Sequence, residues 1–114
     1  MKQSWKRMAV DKKALAMFGL AKKAGKIISG TDQVTNGIRK GIPCTVYLST
    51  EASDNTKKRV RNCCGYYNIE LYELDITIID MAHTIGKKSA ISAIAITDMS
   101  FTAAIKNIIT KDQQ

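Results

Sequence analysis

Ile91-Ser92-Ala93-Ile94-Ala95-Ile96-Thr97 is nearly continuous in Ile, Ala and Ser. A strand reads this way when its sheet is covered on both faces, because neither set of alternating side chains meets water. The segment therefore belongs near the centre of a sheet with helices packed above and below. Directly after it, Asp98 is placed to cap a final helix. Phe101, Ala104, Ile105, Ile108 and Ile109 give that helix one apolar stripe. Directly before it stands a basic loop, Lys87-Lys88-Ser89. Gly86 in front of the loop closes a short helix predicted around Thr77 to Ile85.

Working further back, Ile69, Leu71 and Leu74 alternate with Glu70 and Tyr72 as a strand does. Ser53 before Asp54 is an N-cap for a third helix, whose apolar positions Val60, Cys63, Cys64 and Tyr67 follow i, i+3, i+4, i+7. Its other face is Lys57, Lys58, Arg59 and Arg61, read first as a solvated surface that adds long-range attraction to an anion. Cys44 to Ser49 is rich in strand-forming types. Thr31 to Lys40 is a second helix anchored by Val34 and Ile38, and Ile27-Ile28 is a very short strand. A first helix starts at Asp11, buries Ala14, Leu15, Phe18 and Ala21, and stops at Gly25. Residues 1 to 10 lack periodicity and read as a mobile or loosely docked extension.

The order α-β-α-β-α-β-α-β-α, with short connections, predicts an α/β fold. It is a three-layer α-β-α sandwich around a mostly parallel or mixed sheet of about four strands. One domain over residues 11–114 is expected, since 114 residues hold one core and no separate cofactor domain.

The formal charge of +8 is unevenly spread. Residues 1 to 61 hold 14 Lys or Arg against 4 Asp or Glu, whereas residues 62 to 114 hold 4 against 6. Asymmetry of this kind points to a polyanionic partner, nucleic acid before an anionic membrane. Three cysteines without C-x-x-C spacing and one distant histidine, His83, give no zinc site and no disulfide framework, and no metal is expected. Gly-x-Ser-x-Gly, Gly-x-Gly-x-x-Gly and Walker A sequences are all missing, so no catalytic residue and no cofactor is expected; His83 reads as structural. The basic start has no apolar h-region, and the longest uncharged stretch is far too short for a membrane helix. The expected location is the cytoplasm.

Lys22-Lys23-Ala24-Gly25-Lys26-Ile27-Ile28-Ser29-Gly30-Thr31-Asp32-Gln33 carries the main functional signal. It places lysines before a short strand and a glycine at the mouth of a helix, whose N–H groups and dipole favour phosphate. An ordinary capped helix start fits the same residues. Asp32, Gln33 and Asn36 suit base edges better than backbone, because carboxylates accept from amino groups and amides both donate and accept. Lys87-Lys88-Ser89 reads either as a binding loop or as a plain surface turn.

Gly19-Leu20-Ala21-Lys22-Lys23-Ala24-Gly25-Lys26, Ser29-Gly30-Thr31-Asp32-Gln33-Val34, Ala52-Ser53-Asp54-Asn55-Thr56-Lys57-Lys58, Ile85-Gly86-Lys87, and Thr97-Asp98 with Phe101-x-x-Ala104-Ile105 together resemble the L-seven-Ae ribosomal protein family, its small bacterial members above all. The match runs in order from about Leu15 to Ile109. The resemblance implies an α-β-α sandwich that binds kink-turn RNA, an internal loop with tandem sheared G·A pairs. It implies that a Gly-x-Asn-Glu-x-x-Lys motif reads the guanines and that a loop before the last strand touches a flipped-out base. The motif positions here are Gly30, Asp32, Gln33 and Asn36: glycine is kept, Asn becomes Asp, Glu becomes Gln and Lys becomes Asn.

The expected RNA contacts are therefore Lys26, Gly30, Thr31, Asp32, Gln33, Asn36, Arg39 and Lys40, with Ile85, Gly86, Lys87, Lys88 and Ser89 from the loop. The expected partner is structured RNA, ribosomal or another kink-turn RNA, with ribosome association, no membrane and a monomeric protein. Asp32 and Asn36 also motivate an alternative, an adaptor that keeps the fold, binds protein and has weak or lost RNA binding.

Overall fold

The computed structural model describes residues 5–8, 12–43 and 45–112. Ten elements follow one another: β1 (Trp5–Met8), α1 (Lys12–Lys23), β2 (Ile27–Ser29), α2 (Thr31–Arg39), β3 (Thr45–Ser49), α3 (Asp54–Tyr67), β4 (Glu70–Leu74), α4 (Ile78–Thr84), β5 (Ala93–Ile96) and α5 (Met99–Asp112). The predicted starts of α1 at Asp11 and of β3 at Cys44 lie outside the described residues.

One mixed sheet runs β1-β4-β3-β5-β2. β1, β4 and β3 are parallel, while β5 is antiparallel to β3 and to β2. β5 is interior and buried along its whole length, as its unbroken apolar run requires. The α/β sandwich and its mixed sheet are as expected, but the sheet has five strands. The extra one is Trp5–Met8, in the segment read as a loosely docked extension, which pairs in parallel with Leu71 to Leu74. With β1 on its edge β4 becomes an inner strand, so Tyr72 and Glu73 are buried as well as Leu71 and Leu74.

Two cores lie on opposite faces of the sheet. Ala14, Phe18 and Ala21 of α1, Met81 and Ala82 of α4 and Ile105 of α5 pack on Tyr47, Tyr72, Leu74, Ile94 and Ile96. Val34 and Ile38 of α2 and Val60, Cys63 and Cys64 of α3 pack on Val46, Leu48, Leu71, Ala93 and Ala95. Tyr47 is edge-on to Phe18, with ring centroids 4.9 Å apart, and stacks on Tyr72 at 5.8 Å. Tyr67, expected to face inward, is 41% exposed, because α3 ends there.

Ser53 accepts a hydrogen bond from the Thr56 amide, Thr77 from Asp80, and Asp98 from Ser100 and Phe101. These are the helix starts read from sequence. His83 differs: it lies on the exposed side of α4. Among the described residues, no helix is long and apolar enough to cross a membrane.

Candidate nucleic-acid interface

The register of β2 against β5 sets the geometry. Ser29 lies opposite Ile94, so the end of β2 meets the start of β5. The Gly30 amide then donates to the carbonyl of Ala93 (3.0 Å), and the Ser49 amide donates to that of Ser92 (2.8 Å). The loop entering β5 is thereby clamped between the start of α2 and the turn that leads into α3.

Gly30 has φ 96° and ψ 144°, a conformation open to glycine and strained for any residue with a Cβ. It carries no side-chain cap, so the first turn of α2 points amide donors outward at the positive end of the helix. The Gln33 amide folds back over the glycine: a Cβ there would sit 2.5 Å from its Oε1. Gln33 and Asn36 are exposed, one helical turn apart.

Asp32 is not a free anion. Its carboxylate lies 2.7 Å from an Arg59 guanidinium nitrogen, and that nitrogen also donates to the Thr35 hydroxyl (3.2 Å). Thr35 in turn reaches the carbonyls of Thr31 (3.0 Å) and Asp32 (3.1 Å), so Arg59 ties the first turn of α2 to α3. The basic run on α3 is therefore more than a wet surface, which the spacing alone did not disclose. Arg61 points the other way and holds the buried Glu73 with two hydrogen bonds, one of 2.8 Å.

On the loop side, the Gly86 amide donates to His83 and the Lys87 amide to Ala82, which closes α4. The Ile91 amide donates to Ile78 (3.0 Å). Gly86, Lys87, Lys88 and Ser89 between these anchors are exposed. Ile85 is only 4% exposed and packs in the core under α1, so of the loop residues named from sequence its side chain is turned away from solvent.

Three further candidates lie apart. Lys26 precedes β2 and its carbonyl accepts from Thr97, about 13 Å of extended chain from Gly30. Arg39, bonded to Asn36 at 3.2 Å, and Lys40 close the far end of α2, again about 13 Å from Gly30. The first turns of α2 thus hold Gly30, Thr31, Asp32, Gln33 and Asn36 together, with the Arg39 guanidinium reaching back to Asn36, while the 86–89 loop leads through Ile91 into the start of β5 that Gly30 grips.

Burial pushes the Cys64 thiol up to about 12 and raises that of Cys63, so neither is an activated nucleophile. Among the described residues, no group of three or more His, Cys, Asp and Glu could hold a metal ion.

Against known proteins, residues 12–105 match the Ribosomal protein L7Ae/L30e/S12e/Gadd45 family. The chain belongs to this family. It is 31% identical over 93 residues to RNA-binding protein YlxQ of Bacillus subtilis, covering 82% of this chain and 91% of the relative. It is 33% identical over 97 residues to RNA-binding protein YlxQ of Enterococcus faecium, covering 85% and 91%. Among solved structures, a protein of unknown function from Bacillus halodurans superposes with a TM-score of 0.80 at 28% identity, covering 88% of this chain and 99% of that one. The Giardia lamblia 15.5kD RNA binding protein shares the fold, with a TM-score of 0.70 at 10% identity and coverage of 90% and 89%.

Proposed function

We propose that this chain is a non-enzymatic, cytoplasmic, monomeric protein that binds structured RNA and recognises a kink-turn-like internal loop, in association with the ribosome. Family membership and the two YlxQ relatives, named as RNA-binding, support the RNA. The observation that supports the site is the clamp of Gly30 on Ala93, which ties the uncapped start of α2 to the start of β5, the strand that the basic 86–89 loop leads into.

Within this reading, Gly30 lets the RNA backbone approach the amides of the first turn. Gln33 and Asn36 offer donors and acceptors to the edges of sheared guanines. Lys87, Lys88 and Ser89 flank a base turned out of the stack, and Thr31 lines the approach. Arg59 resolves the difficulty of an aspartate beside phosphates: paired with the guanidinium, the Asp32 carboxylate is held for an amino donor while its repulsion of the RNA is offset. Arg39 donates to the Asn36 side-chain oxygen and orients that amide, while Lys26 and Lys40, remote from Gly30, serve long-range attraction rather than reading.

Amide chemical-shift mapping tests the location. Adding a kink-turn hairpin is expected to move Thr31 to Asn36 and Gly86 to Ser92 most. Perturbation confined to α5 or to the β1 edge would reject the site.

A further inference from the structure

Apart from Arg59, which holds Asp32, the outer face of α3 has no part in the kink-turn site. Asn55, Lys58, Arg59, Asn62 and Tyr66 fall within roughly a 100° arc of the helix at 3.6 residues per turn. That arc faces away from Val60 and Cys64, which are fully buried. Four of these residues, with Thr56, line an open groove of about 380 Å³ that contains no acidic side chain. One turn beyond Asn62, Tyr66 is 83% exposed, although its ring rests edge-on to Tyr67 with centroids 4.9 Å apart.

Cations, neutral amide donors and an accessible aromatic ring in one line are the parts of a single-strand track. Positive charge follows phosphates, amides meet sugar and phosphate oxygens, and an aromatic face takes a base whatever its identity. Among the described residues no ion pair engages Lys58, and Arg59 stands at the junction with Asp32. The groove is thus continuous with the Gly30 end, and Lys58 and Tyr66 are about 12 Å apart along the helix.

We infer that the α3 groove is a second RNA contact, which takes an unpaired strand. Lys58 and Arg59 lie on its phosphates, Asn55 and Asn62 donate to its backbone oxygens, and Tyr66 stacks on a base. This extends the RNA reading from the Gly30 end and is separable from it.

The test titrates the full chain with two fluorescein-labelled RNAs, a single-stranded oligoadenylate of about ten nucleotides and a kink-turn hairpin with blunt ends. The Lys58→Ala/Tyr66→Ala variant is expected to lose roughly tenfold or more in affinity for the oligoadenylate and to change hairpin affinity by less than about twofold. Tyr66→Phe, which keeps the ring, is expected to bind as the parent does. Gln33→Ala/Asn36→Ala should show the converse, weakened hairpin binding with the oligoadenylate unaffected. An oligoadenylate that the parent does not bind, or that the parent and the Lys58→Ala/Tyr66→Ala variant bind equally, overturns the track. Loss of hairpin binding by the parent, with oligoadenylate binding intact and Tyr66-dependent, would leave the track standing and remove the kink-turn reading instead.

Discussion

At Gly30 a single backbone conformation joins fold to site. Its φ of 96° lets the chain turn from β2 into α2 while its amide reaches Ala93. Gly30→Ala is expected to cost about 1–3 kcal/mol in chemical denaturation, since a Cβ here is strained whatever the space. It would also drive the Gln33 amide from its place over residue 30, so RNA discrimination should fall further than stability. A second residue-scale prediction concerns Arg61 and Glu73. Glu73 is 3% exposed, and Arg61→Met removes its partner, leaving a buried carboxylate; denaturation should report a loss of about 3 kcal/mol or more. Gly30 was legible because glycine between a short strand and a helix start has few other uses. The Arg61 pair was not: Lys57-Lys58-Arg59-x-Arg61 reads as one charged run, and although helical spacing sets Arg61 about 160° from Arg59, it says nothing of which cation a neighbouring strand will claim. For the same reason the pairing of Asp32 with Arg59 appears only once α2 and α3 are packed.

Helix boundaries were the most legible elements, because caps are local chemistry. Ser53, Thr77 and Asp98 each stand where a side-chain oxygen can accept an orphan amide, and each does so. Ser53→Ala should lower stability by about 1 kcal/mol, read as a shift in the denaturation midpoint with an unchanged slope. β1 was illegible. Trp5-Lys6-Arg7-Met8 is four residues long, has two cations at its centre and shows no alternation. It is a strand because β4 offers an edge, which is tertiary information. Removing residues 1–8 takes away that ladder and opens β4, whose Tyr72 and Glu73 are buried. The expected loss is roughly 2–4 kcal/mol for a few ladder hydrogen bonds, checked by thermal unfolding of the truncated chain. No change in the midpoint would mean that β1 contributes nothing to the sheet.

Across the whole molecule, the basic excess of residues 1 to 61 is divided among residues 2–26, the C-terminal end of α2 and the α3 helix, so charge asymmetry was readable while its map was not. Buried acids of high pKa set the response to alkali. Burial, with the nearby Glu70 charge adding to it, pushes Tyr72 up to about 12; burial pushes Cys64 up to about 12 and also raises Tyr47. These groups hold their protons more tightly folded than unfolded. Their stabilisation is complete below the unfolded values near 9 to 10 and is lost as pH rises toward 12. The melting temperature should therefore fall steadily from pH 9 upward, and part of that fall should disappear in Cys64→Ala, which has no thiol to ionise.

Recognition of a kink-turn is tested most directly by titrating the full chain, at two salt concentrations, with a hairpin carrying a standard kink-turn and with one whose G·A pairs are replaced by Watson–Crick pairs. The expected result is tighter binding to the kink-turn at both salts, with affinity for each falling steeply as salt rises. Equal, salt-sensitive binding to both hairpins would contradict recognition through Gln33 and Asn36, and no binding to either would contradict RNA as the partner.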